Sequence, residues 1–406
     1  MNPAARRPGR PAVGVDYVSL PPGDGYGEAA LGYLHALRHL GIPVSWRPQA
    51  WKGAALAVHE LPAEVAAGPL GAWVDAPLAT DTLVVHMPPP ELARAVAASR
   101  AGRPPGSPYR RVVGVTTTET ETFPPHWVDH LRGLDVVVVP STFNAEALRR
   151  AAPELSVVVV PHVPVDDAPD EPRDEPSDEV RHHEELGDRF VFYSIGPWTT
   201  RKDLGACVTA FLDAFSAADD VALVVKTSQV DYQAAARPAD RLRQHETWWT
   251  LAHLLAHRPA APPVLLVTEP QAASEIRALH RRGDCLVSLN RGEGFGLTIF
   301  DAVLAGNPVV VTGWGGPLDY LSPTYPLLVP SRLITLADDQ RDTWHAPSPL
   351  RWAQADRDRA VEQLRWVSDH RDEARRLAAR VQARIRADFG LEAVAPRLAD
   401  ALVAGG

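Results

Sequence analysis

Cysteine is scarce in this sequence: Cys207 and Cys285 are the only two among 406 residues. They lie far apart in apolar surroundings, and no Cys/His spacing of the zinc-binding kind accompanies them. The pattern therefore predicts buried, reduced thiols and no metal site. A continuous apolar run of roughly 18 residues, the length that a membrane-spanning helix needs, is also missing. We expect no transmembrane segment and a cytoplasmic location.

Positive charge is not in excess either. The formal net charge is -9, which argues against nucleic acid or an anionic membrane surface as a general partner. Apolar residues make up 45% of the chain, the normal fraction for a globular enzyme. A chain of 406 residues is too long for one ordinary core, so the length suits two domains of similar size.

Short Val-rich runs alternate with longer helical patterns along the chain. Continuous apolar strands separated by helices are typical of parallel sheets that are covered on both faces. Two sets of five predicted strands follow one another. They span residues 12–18, 82–86, 112–116, 135–139 and 156–160, and then 190–194, 221–226, 264–267, 285–289 and 309–312. The sequence therefore predicts an α/β protein with two Rossmann-like domains.

An acidic, proline-rich stretch at residues 166–178 separates the two sets of strands. Such a composition cannot bury a core, so we assign a linker or surface loop there. Amphipathic helices are predicted near the C-terminus at 352–369, 371–388 and 391–403. The predicted units are an N-terminal domain 1–165, a linker 166–186, a C-terminal domain 187–388 and a final helical segment 389–406.

The most informative segment runs from Asn290 to Gly316. A predicted buried strand leads into a loop in which one acid, Glu293, stands among glycines, and a helical pattern carrying Asp301 follows. Loops at the carboxyl ends of parallel strands are where such sheets bind ligands. Glycines let a backbone approach a ligand closely, and a helix N-terminus attracts phosphate. The segment therefore predicts a binding loop for a phosphorylated ligand.

A second loop, from Tyr193 to Leu204, supports this interpretation. Gly196 is followed by two adjacent cations, Arg201 and Lys202, at the start of a predicted helix, an arrangement that suits a diphosphate. Lys226 ends the next predicted strand. It either reaches the same phosphates or is an ordinary exposed lysine.

The segment from Asn290 resembles the donor-sugar motif of nucleotide-sugar-dependent glycosyltransferases of the GT-B fold, in particular the retaining family 4. That family carries two glutamates separated by seven residues, and here the pair is Glu293 and Asp301, so the second acid is one methylene shorter. The resemblance implies two Rossmann-like domains with parallel sheets facing an interdomain cleft. It also implies a last helix that crosses back onto the N-terminal domain.

The resemblance assigns roles on the donor side. Arg201, Lys202 and Glu293 are the predicted catalytic residues: the cations hold the donor phosphates and the acid meets the sugar hydroxyls. Asp301 is expected to accept hydrogen bonds from the ribose. The other predicted donor contacts are Gly196, Lys226, Gly294, Phe295, Gly296 and Leu297. Many relatives have an arginine directly after the glycine, where this chain has Pro197. No metal or cofactor is expected beyond a UDP- or GDP-sugar as co-substrate.

The acceptor side is predicted from the N-terminal half. Residues 113–128 and 139–144 resemble segments of one branch of these transferases, and Glu119 is the leading acceptor-side residue, with Glu121 as its neighbour. The other predicted acceptor-side residues are Gly25, Tyr26, Gly27 and His86. The alternatives are a glycine turn without a ligand, a structural histidine at position 86, and a helix cap at Ser141.

The functional prediction is a retaining glycosyltransferase that moves a sugar to a hydroxyl of a small soluble acceptor, of natural-product or aminoglycoside type. An acid pair at Glu119 and Glu121 favours a cationic or polyhydroxyl acceptor. Surface-polysaccharide or glycolipid glycosylation is the nearest alternative. A GT-B protein that binds a nucleotide sugar without transferring it is the alternative of another class. The pattern at Trp248 and Trp249 favours helix packing over a sugar platform.

Overall fold

The computed structural model describes residues 14–52, 55–58, 61–164, 186–235, 246–336 and 350–403. The predicted linker 166–186 lies outside these residues except for Leu186, which is buried in the core of the C-terminal domain. Cys207 and Cys285 are both free and buried. None of the described helices is both long and apolar enough to span a bilayer.

The N-terminal domain is built on a seven-stranded sheet. Its strands are β1 Val15–Ser19, β2 Val44–Lys52, β3 Ala55–Val58, β4 Thr82–His86, β5 Arg111–Val115, β6 Val136–Val139 and β7 Val157–Val159. Its helices are α1 Gly25–His39, α2 Ala63–Ala67, α3 Pro89–Ala101, α4 Pro125–Leu131 and α5 Thr142–Ala151. The strand order is β3-β2-β1-β4-β5-β6-β7, and neighbouring strands are parallel except for the antiparallel pair β2 and β3.

The C-terminal domain is built on a six-stranded parallel sheet and a separate antiparallel hairpin. The sheet strands are β8 Phe190–Ile195, β9 Val221–Lys226, β10 Val264–Val267, β11 Cys285–Ser288, β12 Val309–Thr312 and β13 Leu328–Val329, and the hairpin strands are β14 Ser331–Thr335 and β15 Arg351–Ala355. The strand order of the sheet is β10-β9-β8-β11-β12-β13.

The helices that follow β8 complete the described structure. They are α6 Leu204–Ala214, α7 Tyr232–Ala235, α8 Thr247–Ala256, α9 Ala273–Arg282, α10 Leu297–Leu304, α11 Leu318–Leu321, α12 Arg357–Asp369, α13 Arg371–Asp388 and α14 Leu391–Val403. The central strands are Val-rich and buried along their length, because helices cover both faces of each sheet. The predicted fold class, an α/β protein with two Rossmann-like sheets, is confirmed.

The predicted strand count of five per sheet is wrong. Strand β2 was missed because Ser45, Arg47 and Gln49 interrupt its apolar residues, and β13 is only two residues long. The predicted helix at 352–369 begins too early, since Arg351–Ala355 pairs as a strand with β14. The helix starts at Arg357 because the Asp356 side chain accepts from the amides of Asp358 and Arg359.

Helix α14 packs on the N-terminal domain although it follows the C-terminal one. Val394, Leu398 and Leu402 are buried in the same core cluster as Leu34 and Leu37 of helix α1. Arg111 at the start of β5 also donates to the carbonyl of Ala401 at 2.9 Å. The end of the chain therefore ties the two domains together.

Candidate active site

A cleft of about 1820 Å³ lies between the two sheets. Its N-terminal wall comes from the residues after β1 and at the end of β4, and its C-terminal wall from the loops after β8 and β11. Strand order reverses at these same strands in both sheets, and ligands of open α/β sheets bind at such switch points. All the predicted site residues line this cleft except Gly27.

Arg201, Lys202 and Glu293 meet at the centre of the cleft. Lys202 Nζ lies 2.5 Å from Glu293 Oε1, and Arg201 Nη1 lies 3.2 Å from the same oxygen. The Glu293 side chain is only 9% exposed. Burial opposes its ionisation, but Lys202 and Arg201 outweigh burial and lower the pKa of Glu293. The centre therefore holds one ionised carboxylate and two cations, drawn from two loops.

The Arg201 guanidinium contacts residues on both walls of the cleft. Its Nη1 donates to the Gly292 carbonyl at 2.8 Å, and its Nη2 lies 3.8 Å from Glu119 Oε1 on the N-terminal wall. Burial lowers the pKa of Arg201, but the carboxylates of Glu119 and Glu293 raise it above its ordinary value. Glu119, predicted on the acceptor side, thus lies beside the donor cations.

Local backbone geometry places the cationic pair. Gly196 has a φ of +155°, and a Cβ there would lie 3.3 Å from Lys202 Cδ, so glycine leaves room for the lysine stem. Asp203 precedes helix α6 with a φ of 47°, and its carboxylate accepts from Arg291 Nε at 2.9 Å. The amide of Arg291 also donates to the Arg201 carbonyl at 2.7 Å. Arg291 therefore joins the two loops, a role that the sequence did not signal.

Two glycines of the Glu293 loop make room for the N-terminal domain, whereas we had interpreted them as making room for a ligand. A Cβ on Gly292 would lie 2.0 Å from the Glu119 carbonyl oxygen, and one on Gly294 would lie 1.8 Å from Thr117 Oγ1. The close approach is made by the loops of the N-terminal domain. Gly296 directly precedes helix α10. Its φ of +84° is a left-handed backbone conformation that glycine adopts without strain.

The remaining predicted donor residues lie around this centre. The Phe295 ring is buried against Tyr320 and His162, at centroid distances of 5.2 and 4.9 Å. Leu297 is half-buried at the start of α10, and Asp301 is exposed further along that helix. Lys226 Nζ donates to the neighbouring Thr227 carbonyl at 3.1 Å, and burial lowers the pKa of Lys226.

Tyr26 and Gly25 face the cleft from the start of helix α1. The Tyr26 hydroxyl lies 3.1 Å from Thr116 Oγ1 and accepts from the Thr117 amide at 3.2 Å. Burial, followed by the charge of Glu119, raises the pKa of Tyr26 far above its ordinary value. Gly27 differs, because a Cβ there would lie 1.9 Å from the Pro21 carbonyl oxygen. Its glycine serves the strand-to-helix turn, which was the alternative to a ligand contact, and its role on the acceptor side stays a prediction.

His86 and His162 form an aromatic stack at the cleft. His86 Nδ1 lies 2.9 Å from the Tyr17 hydroxyl, and its ring stacks on Tyr33 at 5.5 Å. Burial, with His162 nearby, holds the pKa of His86 well below its ordinary value, and burial lowers the pKa of His162 to about 3. Both rings are therefore neutral at neutral pH. His162 Nδ1 has no hydrogen-bond partner among the described residues.

Two other expectations need correction. Glu121 does not pair with Glu119, because its carboxylate accepts from Arg351 Nε and Nη2 of the hairpin at 2.6 and 2.7 Å. Trp248 and Trp249 do not pack inside the protein: they stack on each other at 4.0 Å and are 45% and 56% exposed. Within the described ranges, no cluster of three or more His, Cys, Asp or Glu residues is suited to hold a metal ion.

Ser141 caps helix α5, as the alternative interpretation predicted, and it also contacts the C-terminal domain. Its Oγ accepts from the Asn144 amide at 3.2 Å and donates to the Gly294 carbonyl at 2.7 Å. Asn144 Nδ2 donates to the same carbonyl at 2.9 Å. The Glu293 loop is thus held from the N-terminal domain, which no local pattern in the sequence could show.

Comparison with known proteins gives a consistent result. Residues 266–398 match the model of a family described as family 4 glycosyltransferases in conflict systems. No curated protein sequence matches the chain significantly. The structure is similar to HepE of Anabaena, solved with UDP and glucose, with a TM-score of 0.61, 13% identity and coverage of 96% of this chain and 99% of that one. It is also similar to sucrose-phosphate synthase of Thermosynechococcus elongatus, with a TM-score of 0.64, 16% identity and coverage of 96% and 98%.

These findings together define the fold of the chain and the family to which one segment is similar. The solved structures share the two-sheet GT-B fold over nearly the whole chain, and the matched segment contains Glu293 and Asp301. The chain therefore has the GT-B fold, and its residues 266–398 are similar to family 4 glycosyltransferases, in agreement with the resemblance seen in the sequence.

Proposed function

We propose that this enzyme is a retaining glycosyltransferase that moves a sugar from a nucleoside diphosphate sugar to a hydroxyl of a small acceptor. The C-terminal domain binds the donor and the N-terminal domain binds the acceptor. One observation carries the proposal: Arg201 and Lys202 from one loop converge on Glu293 from another, at the switch point of the same sheet. A location in the cytoplasm belongs to the proposal and is supported by the free, buried cysteines.

The charged centre suggests how the chemistry is divided. Arg201 and Lys202 stabilise the negative charge that grows on the leaving diphosphate. Glu293 accepts hydrogen bonds from hydroxyls of the transferred sugar, and Asp301 does the same for the ribose. No described residue is assigned as a dedicated base. In the proposed retaining reaction, the leaving phosphate oxygen takes the proton of the acceptor hydroxyl.

The proposed donor is a UDP-sugar, with a GDP-sugar as the second candidate. HepE, which covers the same fold from end to end, was solved with UDP and glucose. In this chain the cations of the C-terminal wall suit any nucleoside diphosphate, because the pyrophosphate is common to all of them. The nucleotide base and the sugar of the donor therefore have to be identified by experiment.

The two walls of the cleft differ in charge, and this supports a cationic acceptor. The described N-terminal lining contains no Lys or Arg, and it carries four acids, Asp24, Glu28, Glu64 and Glu119. The C-terminal lining contains seven Lys or Arg residues and two acids. Such a wall attracts an amine-bearing, hydroxylated molecule and repels a phosphorylated one. This argument replaces the one from Glu119 and Glu121, since Glu121 is paired with Arg351.

The proposal is tested with a panel of UDP-, GDP-, ADP- and dTDP-sugars. A donor that binds the folded enzyme raises the melting temperature, by an amount that grows with ligand concentration. The radiolabelled form of that donor is then incubated with amino, neutral and phosphorylated acceptors. We expect transfer to an acceptor and slow donor hydrolysis without one. Donor binding with neither reaction would support the alternative of a non-catalytic binding protein, for which Pro197 and Asp301 are the motif departures.

A further inference from the structure

The carbonyl oxygen of Gly294 is held by two side chains of the opposite domain. Ser141 Oγ donates to it at 2.7 Å and Asn144 Nδ2 at 2.9 Å. Both side chains are fully buried. Buried polar groups are costly unless their hydrogen bonds are made, so this arrangement has a defined geometry. It lies directly beside Glu293 in the chain.

The orientation of each group is fixed by its other partners. Asn144 Oδ1 accepts from the Thr118 amide at 2.6 Å and from Thr117 Oγ1 at 3.0 Å, so the Nδ2 side of the amide faces Gly294. Ser141 Oγ already accepts from the Asn144 amide, and a hydroxyl has a single proton to donate. That proton therefore goes to the Gly294 carbonyl.

The backbone on the other side of the Glu293 loop is held as well. The Gly316 amide donates to the Glu293 carbonyl at 2.9 Å, and a Cβ on Gly316 would lie 1.9 Å from the Gly294 carbonyl oxygen. Glu293 thus sits between a contact within its own domain and a contact from the N-terminal domain. The Gly294 carbonyl lies in the peptide that links Gly294 to Phe295, directly after Glu293, so its movement would shift the backbone that carries the Glu293 side chain.

We propose that Ser141 and Asn144 are positioning residues for Glu293, so that the N-terminal domain completes the donor site. The proposal rests on the transferase function above and assigns these residues to the sugar-contacting acid. The phosphate-binding cations Arg201 and Lys202 belong to the other loop. Loss of the two hydrogen bonds therefore weakens recognition of the sugar more than recognition of the nucleoside diphosphate.

Two variants test this role. Ser141→Ala removes one donor to the Gly294 carbonyl, and Asn144→Asp removes the other while keeping an oxygen for Thr117 and Thr118. Thr142→Ala is the matched control, because Thr142 also bridges the domains, through Asp319 at 2.5 Å, but does not touch the Glu293 loop. Calorimetry measures binding of UDP and of the UDP-sugar, and steady-state kinetics measures kcat and donor KM.

We expect Ser141→Ala and Asn144→Asp to lower kcat/KM by about three- to tenfold each, the usual effect of one lost hydrogen bond between uncharged groups. UDP affinity should change less than UDP-sugar affinity, so that the ratio of UDP-sugar to UDP affinity falls. Thr142→Ala should have the same kcat/KM and the same ratio of UDP-sugar to UDP affinity as the parent. If Asn144→Asp does not fold, Ser141→Ala decides.

Equal loss of UDP and UDP-sugar binding, or the same loss in Thr142→Ala, would show that these contacts only hold the domains together and would overturn the proposal. Unchanged transfer in Ser141→Ala would do the same. Absence of transfer in the parent enzyme with every donor is a failure of the proposed function instead. In that case the affinity ratio still tests the positioning role.

Discussion

The carboxylate of Glu293 shares one oxygen between two cations, and this pairing governs the residue-scale behaviour of the site. A buried acid with its pKa lowered is an anion at neutral pH, beside the cations proposed to bind phosphate. The same carboxylate therefore has two opposite effects. In the proposed function it orients the sugar of the donor, and its charge repels the phosphate oxygens of a nucleotide that enters.

Lys202→Ala should lower sugar transfer by about one to three decades, because a charged contact to the leaving diphosphate is lost in the transition state. Lys202→Met is the matched variant, since it keeps an aliphatic stem against Gly196 and removes only the charge. Both are compared with the parent by kcat/KM. Near-normal turnover of either folded variant would reject the phosphate role of Lys202.

Glu293→Gln should separate binding from transfer. Removing the charge frees Arg201 and Lys202 for phosphate, so UDP should bind several-fold tighter, up to about tenfold, while transfer falls by at least about tenfold. Glu121→Gln, at a carboxylate outside the cleft, is the control and should change neither value. Weaker UDP binding in Glu293→Gln would contradict the proposed competition.

At the scale of elements, the loop after β11 and the loop after β8 meet because both strands lie side by side in the parallel sheet. Local patterns predicted both loops, since an apolar run followed by glycine is a local signal. The hairpin β14–β15 was not predicted, because half of its side chains are exposed and its two strands are joined through residues outside the described ranges. Yet it supplies Arg351 to Glu121 and accounts for the separation of that acid from Glu119.

The stack of His86 and His162 across β4 and the residues after β7 makes stability depend on pH. Their pKa values are lower in the folded protein than in the unfolded chain, so the unfolded state binds more protons as the pH falls. Stability should decrease from about pH 6.5 towards pH 3, by up to about 1.4 kcal/mol per pH unit for each histidine.

His162→Phe should flatten this dependence, because the replacement keeps a ring beside Phe295 and cannot take a proton. The measurement is the free energy of unfolding in urea at several pH values between 4 and 8. The other titrating groups are common to both proteins, so the difference in slope belongs to His162 and to its effect on the pKa of His86. Equal slopes in the two proteins would contradict the buried, neutral state of this ring.

At the scale of the whole molecule, the cleft has one acidic and one basic wall, and helix α14 packs on the N-terminal domain. Neither wall is evident from the net charge of -9, which averages over the entire chain. Charge of one sign on each wall raises the local concentration of a matching substrate and is screened by salt. The proposed preference for a cationic acceptor therefore rests on the assembled cleft.

Glu64→Gln should raise the KM for an amine-bearing acceptor a few-fold and leave the KM for a neutral analogue unchanged. The difference should shrink at about 0.5 M salt, where exposed charges are screened within a few ångströms. Glu392→Gln, an exposed acid on α14, is the control outside the cleft. Equal effects on the cationic and the neutral acceptor would remove the electrostatic argument.

The sequence by itself determined the α/β class, most sheet strands and the two charged loops, because strand periodicity and glycine turns depend on residues close together in the chain. Only the tertiary structure decided which groups meet. It showed that Gly292 and Gly294 are small to admit Glu119 and Thr117, that Gly27 belongs to a turn, and that Ser141 reaches a carbonyl 153 residues further along the chain. Such contacts arise when two separately formed sheets dock face to face, and no local pattern records the partner that docking selects.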